Sequence, residues 1–113
     1  MYRIARVEHL IQRRIGELIV LKRLKDPRID TLLTVSRVKV SKDFTSAKVY
    51  ISGPQQQSER LKGVEALNHA AGFIQHIIGK ELQTRNTPRL KFLHDESIET
   101  GYNITKTLEN LQD

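Results

Sequence analysis

Residues 58–82 read SERLKGVEALNHAAGFIQHIIGKEL. Leu61, Val64, Leu67, Ala71, Ile74, Ile78 and Leu82 recur at three- and four-residue steps, the repeat of a helix with one buried face. Ser58 offers an N-cap hydroxyl at the start of the run. Gly72 interrupts it, inside Ala70-Ala71-Gly72. A glycine within a helix costs about 1 kcal/mol relative to alanine, so this one marks either a bend or a close approach of another segment. The spacing therefore predicts a helix, a kink at Ala70 and Gly72, and a second helix that stops at Arg85-Asn86-Thr87-Pro88.

Toward the N-terminus, Ile4, Val7, Leu10, Ile11, Ile15, Leu18 and Ile19 place an amphipathic helix over residues 3–24, stopped by Asp26-Pro27. Residues 32–40 read as a strand whose alternation breaks. Leu33 and Val35 share one phase and Val38 and Val40 the other, which a bulge near Ser36-Arg37 reconciles. Residues 41–45 connect it to a cleanly alternating strand over 46–52, with Ala47, Val49 and Ile51 inward and Lys48 and Tyr50 outward. Residues 53–58 form a polar loop, and residues 89–94 a short third strand. From Ser97 to Asp113 the helical pattern is weak (Ile98, Tyr102, Thr105, Leu108, Leu111), so residues 1–96 read as the domain and 97–113 as a tail. The order α-β-β-α-kink-α-β is an α+β, two-layer solution: a three-stranded sheet with helices on one face.

The chain has 113 residues, enough for one core. Cysteine is absent, which excludes a disulfide scaffold, a Cys-ligated zinc site and a thiol nucleophile. No apolar run approaches bilayer length and the start lacks a signal-peptide pattern, so a cytoplasmic protein is expected, with no membrane contact. Charge is the informative part of the composition. The net charge is +6, and it is uneven: residues 1–50 hold twelve Lys and Arg against five Asp and Glu, whereas residues 51–113 hold seven against eight. A basic half on a small domain favours a polyanion.

Catalytic patterns are missing: the sequence has no nucleotide loop, no nucleophile elbow and no metalloprotease motif. His69 and His76 stand seven residues apart, roughly 10 Å along a helix, too far to share a metal unaided. We therefore expect no enzyme, cofactor, metal site or small-molecule substrate. The element order is that of a KH-like RNA-binding domain. The GXXG loop that clamps nucleotides in ordinary KH domains is absent, and Ala70-Ala71-Gly72 stands at the joint.

The residues also carry a family resemblance. Lys25-Asp26-Pro27-Arg28-Ile29 is followed by Val38-Lys39-Val40-Ser41-Lys42-Asp43-Phe44 and by Ala47-Lys48-Val49-Tyr50-Ile51-Ser52. Then come Ala66-Leu67, Ala70-Ala71-Gly72-Phe73-Ile74, Leu82-Gln83-Thr84-Arg85, Pro88, Phe92, Asp95 and Ser97. This ordered set, over roughly residues 3–101, closely resembles bacterial ribosome-binding factor A. The resemblance implies a KH-like fold with a kink at Ala70 and Gly72. It also implies a monomeric partner of the free small (30S) ribosomal subunit and its 16S rRNA precursor, assisting late maturation, rRNA processing and growth in the cold. Three features depart from the family pattern: Phe44, where leucine is commoner; the basic third strand with Arg89 and Lys91; and the short stretch after Gly101, where many members carry a longer charged tail.

Exposed aromatics look scarce, which leaves phosphate contact and RNA shape as the expected basis of recognition. The cations expected to bind RNA are Arg28, Lys39, Lys42, Lys48, Lys80, Arg85, Arg89 and Lys91. Arg28 could instead pair with Asp26 or Asp30. At Ala70 and Gly72, small side chains serve either helix packing or backbone approach to phosphate. Two rival readings stand beside this one: a generic KH-like module for single-stranded RNA or DNA, and a domain whose basic face meets an acidic protein.

Overall fold

The computed structural model describes residues 2–82 and 87–97. Their elements are α1 (Tyr2–Val20), β1 (Thr34–Val40), β2 (Ser46–Ser52), α2 (Gln57–His69), α3 (Ala71–Glu81) and β3 (Arg89–His94). The sheet order is β1-β2-β3, with β1 antiparallel and β3 parallel to β2. The helices cover one face of it. Val7, Ile11, Ile15, Leu18 and Ile19 of α1 and Val64, Leu67, Ile74 and Ile78 of α2 and α3 meet the inward side chains Val38, Val40, Val49, Ile51, Leu90 and Phe92 in one core. This is the α+β, two-layer arrangement expected from the sequence, and no helix of the described residues is long and apolar enough to cross a membrane.

Several boundaries differ from the expectation, each for a local reason. The first helix ends at Val20, before residue 24. The Arg23 N–H donates to the Leu18 carbonyl and the Lys22 N–H to that of Ile19, with Lys22 at φ 55°. That is a Schellman stop, usually built on glycine and here on lysine, which carries no sequence signal for it. The first strand begins at Thr34, since Leu32 and Leu33 belong to a turn closed on Asp30. The second helix starts at Gln57 with Gln56 as its uncapped N-cap, so Ser58 lies inside the helix and is no cap. The third helix ends at Glu81, where Leu82 turns extended. Arg85 and the tail beyond Ser97 lie outside the described residues. The bulge is where the broken alternation put it, between Val35 and Arg37.

The kink is real, and its chemistry differs from the expectation. The break is at Ala70 (φ −89°, ψ 1°), whose N–H still reaches the carbonyls of Ala66 and Leu67. Gly72 lies in the first turn of α3, with nothing within 4 Å of where a Cβ would stand. The close approach belongs to Gly63 instead. A Cβ there would lie 2.7 Å from Leu33 Cδ1 and 3.3 Å from the Arg28 carbonyl oxygen. Leu33 is buried in the core, so its displacement would disturb the packing around it.

Both edges of the sheet are closed by helix side chains. Along β1, Gln12 of α1 donates to the Val35 carbonyl and Glu8 accepts from the Val40 N–H. Along β3, Asn68 of α2 bonds both the N–H and the carbonyl of Phe92, and Gln75 of α3 accepts from the Leu90 N–H. An unpaired strand edge is a template for aggregation, and these four residues blunt it.

The two glycines are expected to respond oppositely. Gly63→Ala gains helix propensity as well, but overpacking against Leu33 and the Arg28 carbonyl should outweigh it, for a net destabilisation of about 1 kcal/mol. Gly72→Ala should stabilise it by about 0.5–1 kcal/mol through helix propensity. Urea unfolding of both variants checks this, and equal signs would contradict the geometry.

Candidate nucleic-acid interface

The uncovered face of the sheet is built by alternation. Core residues take the inward positions apart from His94, so the intervening residues, Lys39, Lys48 and Lys91 among them, lie on the opposite face. The register then decides which of these meet. Lys39 pairs with Lys48, and Lys48 with Lys91, so three exposed lysines form one row straight across the strands. Strands lie about 4.8 Å apart, so the row spans roughly 10 Å. Arg89 follows on the same face of β3, and Lys42 lies exposed on the β1–β2 turn at that end. Toward the other end, Arg37 pairs with Tyr50 and sets its guanidinium 4.3 Å from the ring centroid. No carboxylate occurs in any of the three strands.

Arg37 reaches this face only because of the bulge. Ser36 is the extra residue, and its hydroxyl donates to the Asp95 carboxylate, 2.5 Å away and beside the Tyr50 carbonyl. Asp95 also accepts from the Ser97 N–H and hydroxyl, while its own N–H continues the ladder to the Ile51 carbonyl. The end of β3 is thereby tied to the bulge of β1 across the top of β2. Burial alone would raise the pKa of Asp95. The hydrogen bonds from Ser36 and Ser97, with the charge of Arg37, outweigh it and hold the carboxyl below its ordinary value.

The turn that presents Lys42 is ordered by its own side chains. Asp43 accepts from the Thr45 hydroxyl (2.7 Å), the Ser41 hydroxyl (2.8 Å) and the Thr45 N–H, which lowers its pKa. Phe44 takes φ 61° there, and its ring lies 5.4 Å from the Arg3 guanidinium of α1.

Of the eight cations expected from the sequence, the sheet brings together Lys39, Lys48, Lys91, Arg89 and, at the turn, Lys42. Arg28 stands elsewhere and is engaged. It grips both Asp26 carboxylate oxygens at 3.1 and 2.8 Å, lies 3.3 Å from His69 Nδ1, and has Glu65 at 3.8 Å. The Arg28 side chain and its N–H bring the Asp26 carboxyl down to about 2. Lys80 is exposed on α3, in the helix layer on the other side of the sheet. Arg37 was not among the expected cations. Its signal was present in the sequence, because the bulge that reconciles Val35 with Val38 also puts Arg37 in phase with Lys39.

The family model for ribosome-binding factor A matches residues 3–108. The chain belongs to the ribosome-binding factor A family. A relative of that name from Borrelia garinii is 41% identical over 106 residues, covering 94% of this chain and 88% of its own. The crystal structure of ribosome-binding factor A from Thermus thermophilus superposes with a TM-score of 0.68 at 31% identity, covering 80% of this chain and 93% of that one. A homology model of the Thermus thermophilus factor, fitted into a cryo-EM map of its complex with the 30S subunit, aligns with a TM-score of 0.61 at 30% identity. That alignment covers 77% of this chain and 89% of the other. Membership in the family and the α+β architecture agree with the resemblance read from the sequence.

Two outcomes are expected at this face. Like charges directly opposite on neighbouring strands repel. At 5–6 Å in water each pair is worth roughly 0.7 kcal/mol before salt screening. Lys48→Thr, at the centre of the row, should therefore stabilise the protein by about 0.5–1 kcal/mol at low salt and by less at high salt. Thermal unfolding of the variant and the parent at two salt concentrations measures this. Ser36→Ala should raise the pKa of Asp95 toward its unfolded value. A carboxyl with a depressed folded pKa stabilises the fold above its unfolded pKa of about 3.9 and loses that contribution as pH falls through the folded value. Acid unfolding of Ser36→Ala, followed by circular dichroism, should thus begin at higher pH than in the parent.

Proposed function

We propose that the protein is a ribosome-maturation factor that grips small-subunit ribosomal RNA through the lysine row of its uncovered sheet face. It acts in the cytoplasm as a monomer on the free 30S subunit and its 16S rRNA precursor. There it assists late maturation and rRNA processing, with its largest effect in the cold. The observation that carries this reading is the register that aligns Lys39, Lys48 and Lys91 without an intervening carboxylate. Family membership supports it, as does the 30S complex of the Thermus thermophilus relative.

The row suits a phosphate backbone. Its cations project from rigid strands, so holding them in place loses little further entropy, and each phosphate neutralised releases condensed counterions. Lys39, Lys42, Lys48, Arg89 and Lys91 are the direct contacts, with Arg37 beside them on Tyr50. Arg28 holds Asp26 and the loop after α1 in place. Lys80, on α3, and Arg85 are further proposed contacts, separate in sequence from the lysine row. No bond is made or broken. The factor promotes maturation by binding one conformation of the precursor better than another, since equal affinity would shift nothing.

Binding to isolated precursor subunits should weaken steeply with salt. Five neutralised phosphates give a log–log slope of about −3.5 to −4.5. Replacing Lys39, Lys48 and Lys91 together by Gln should flatten that slope by about 2–3 and remove the protein from the small-subunit peak of a sucrose gradient. A slope unchanged by the triple substitution would place the contact elsewhere. Tight binding to short oligonucleotides with none to intact subunits would favour the generic single-strand module.

A further inference from the structure

The outer ridge of α1 has no partner among the described residues. At 3.6 residues per turn, Arg6, His9, Arg13, Gly16 and Val20 fall within an arc of about 80°, opposite the buried Ile11, Ile15 and Leu18. Arg6, His9 and Arg13 are exposed, and Val20 and its neighbour Leu21 leave 64% and 60% of their surface to solvent. The ridge has the spacing of a heptad. Arg6, Arg13 and Val20 stand seven residues apart, and His9 and Gly16 follow the first two at three-residue steps. Nothing lies within 4 Å of where a Cβ of Gly16 would stand. The acidic side chains of the helix are engaged elsewhere. Glu8 accepts from the Val40 N–H at the edge of β1, and Glu17 is bound to Arg14 at 3.0 Å, with Arg13 only at 3.9 Å. Neither Arg6 nor His9 has an ion-pair partner among the described residues.

We infer that this ridge docks an acidic amphipathic helix of a protein partner, whose carboxylates meet Arg6 and Arg13 and whose apolar side chains cover Val20 and Leu21. A helix laid along another meets it at heptad positions, each side chain entering a gap on the facing helix. Gly16 is such a gap, open because it carries no side chain. Helices recognised in this way present anchors at i, i+3, i+4 and i+7, the steps found on the ridge. Charge complementarity makes the occupant acidic at the Arg6 end. The apolar pair at the other end decides between protein and nucleic acid. A phosphate backbone gains nothing by covering Val20 and Leu21, whereas an apolar side chain removes them from water. From Arg6 to Val20 the ridge runs roughly 21 Å, so a partner helix of about four turns covers it. It lies in the helix layer, on the other side of the sheet from the lysine row, so one molecule can hold RNA on one face and a protein on the other. The inference goes beyond the proposed function and stands without it.

The test titrates the full chain against a fluorescently labelled synthetic peptide of about 20 residues, long enough to be helical alone. It carries Glu opposite Arg6 and Arg13 and Leu opposite Gly16 and Val20; a control peptide carries Lys in place of Glu. By fluorescence anisotropy the glutamate peptide should bind and the lysine peptide should not. Arg6→Glu combined with Arg13→Glu should weaken the first at least about 10-fold and turn the preference toward the second, because like charges brought together in an interface repel. Gly16→Gln should also weaken binding by filling the gap. Its melting temperature should hold or rise, since glutamine favours a helix more than glycine does, so the loss is not one of folding. Replacing Lys39, Lys48 and Lys91 together by Gln should leave the affinity for the peptide unchanged. A glutamate peptide that does not bind the parent, that still binds after the arginine reversal, or that is lost with the lysine row would overturn the inference. So would an RNA duplex that displaces the peptide from the triple lysine variant, which would give the ridge to nucleic acid. None of these outcomes bears on whether the lysine row holds ribosomal RNA.

Discussion

Among the described residues, helices cover one side of this sheet and leave the other to water, and most of the molecule's properties follow from that asymmetry. Strand side chains alternate, so residues that build the core force their neighbours onto the open side. Val38, Val40, Val49, Leu90 and Phe92 are buried. Lys39, Lys48, Lys91 and Arg89 are exposed by the same geometry. The core thus sets the position of the cations, and the register brings three of them into line. Such a row works against the isolated fold, because like charges opposite one another repel.

The Ser36–Asp95 bridge and the edge-capping side chains are where polar groups are spent on order. Among the described residues Asp95 is the one buried charged side chain, and its carboxylate takes hydrogen bonds from Ser36 of β1 and from Ser97 in the turn after β3. It fixes the bulge that aims Arg37 outward. Glu8, Gln12, Asn68 and Gln75 occupy the outer hydrogen-bonding positions of β1 and β3, so the sheet ends at three strands. Arg60 plays a similar part on the 53–56 loop, donating to the carbonyls of Gly53 and Gln55 and to His94 at the end of β3.

Periodicity made most of the fold legible. The alternation of β2 matches its burial from Ser46 to Ile51, and β1's broken alternation marks its bulge within one residue. What the sequence hid was set by tertiary contact or by unusual backbone. Lys22 closes α1 in a conformation that normally signals glycine, so the stop was read four residues late. Gly72 drew attention as a helix interruption, yet Gly63, an ordinary-looking helical glycine, is the one pressed against Leu33 and the Arg28 carbonyl. At the candidate interface, the individual cations could be named in advance. Their alignment could not, because it depends on strand register, and Arg28's commitment to Asp26 depends on a turn after proline.

The parallel pairing of β3 with β2 has a bearing on how the chain reaches this state. β1 and β2 are joined by a five-residue turn and can close locally, whereas β3 must wait until α2 and α3 have folded back across the sheet. Contacts distant in sequence form slowly because loop closure must come first. The lysine row therefore comes together in two stages, Lys39 with Lys48 early and Lys91 last. During synthesis, the two-lysine hairpin leaves the ribosome before the strand that completes it.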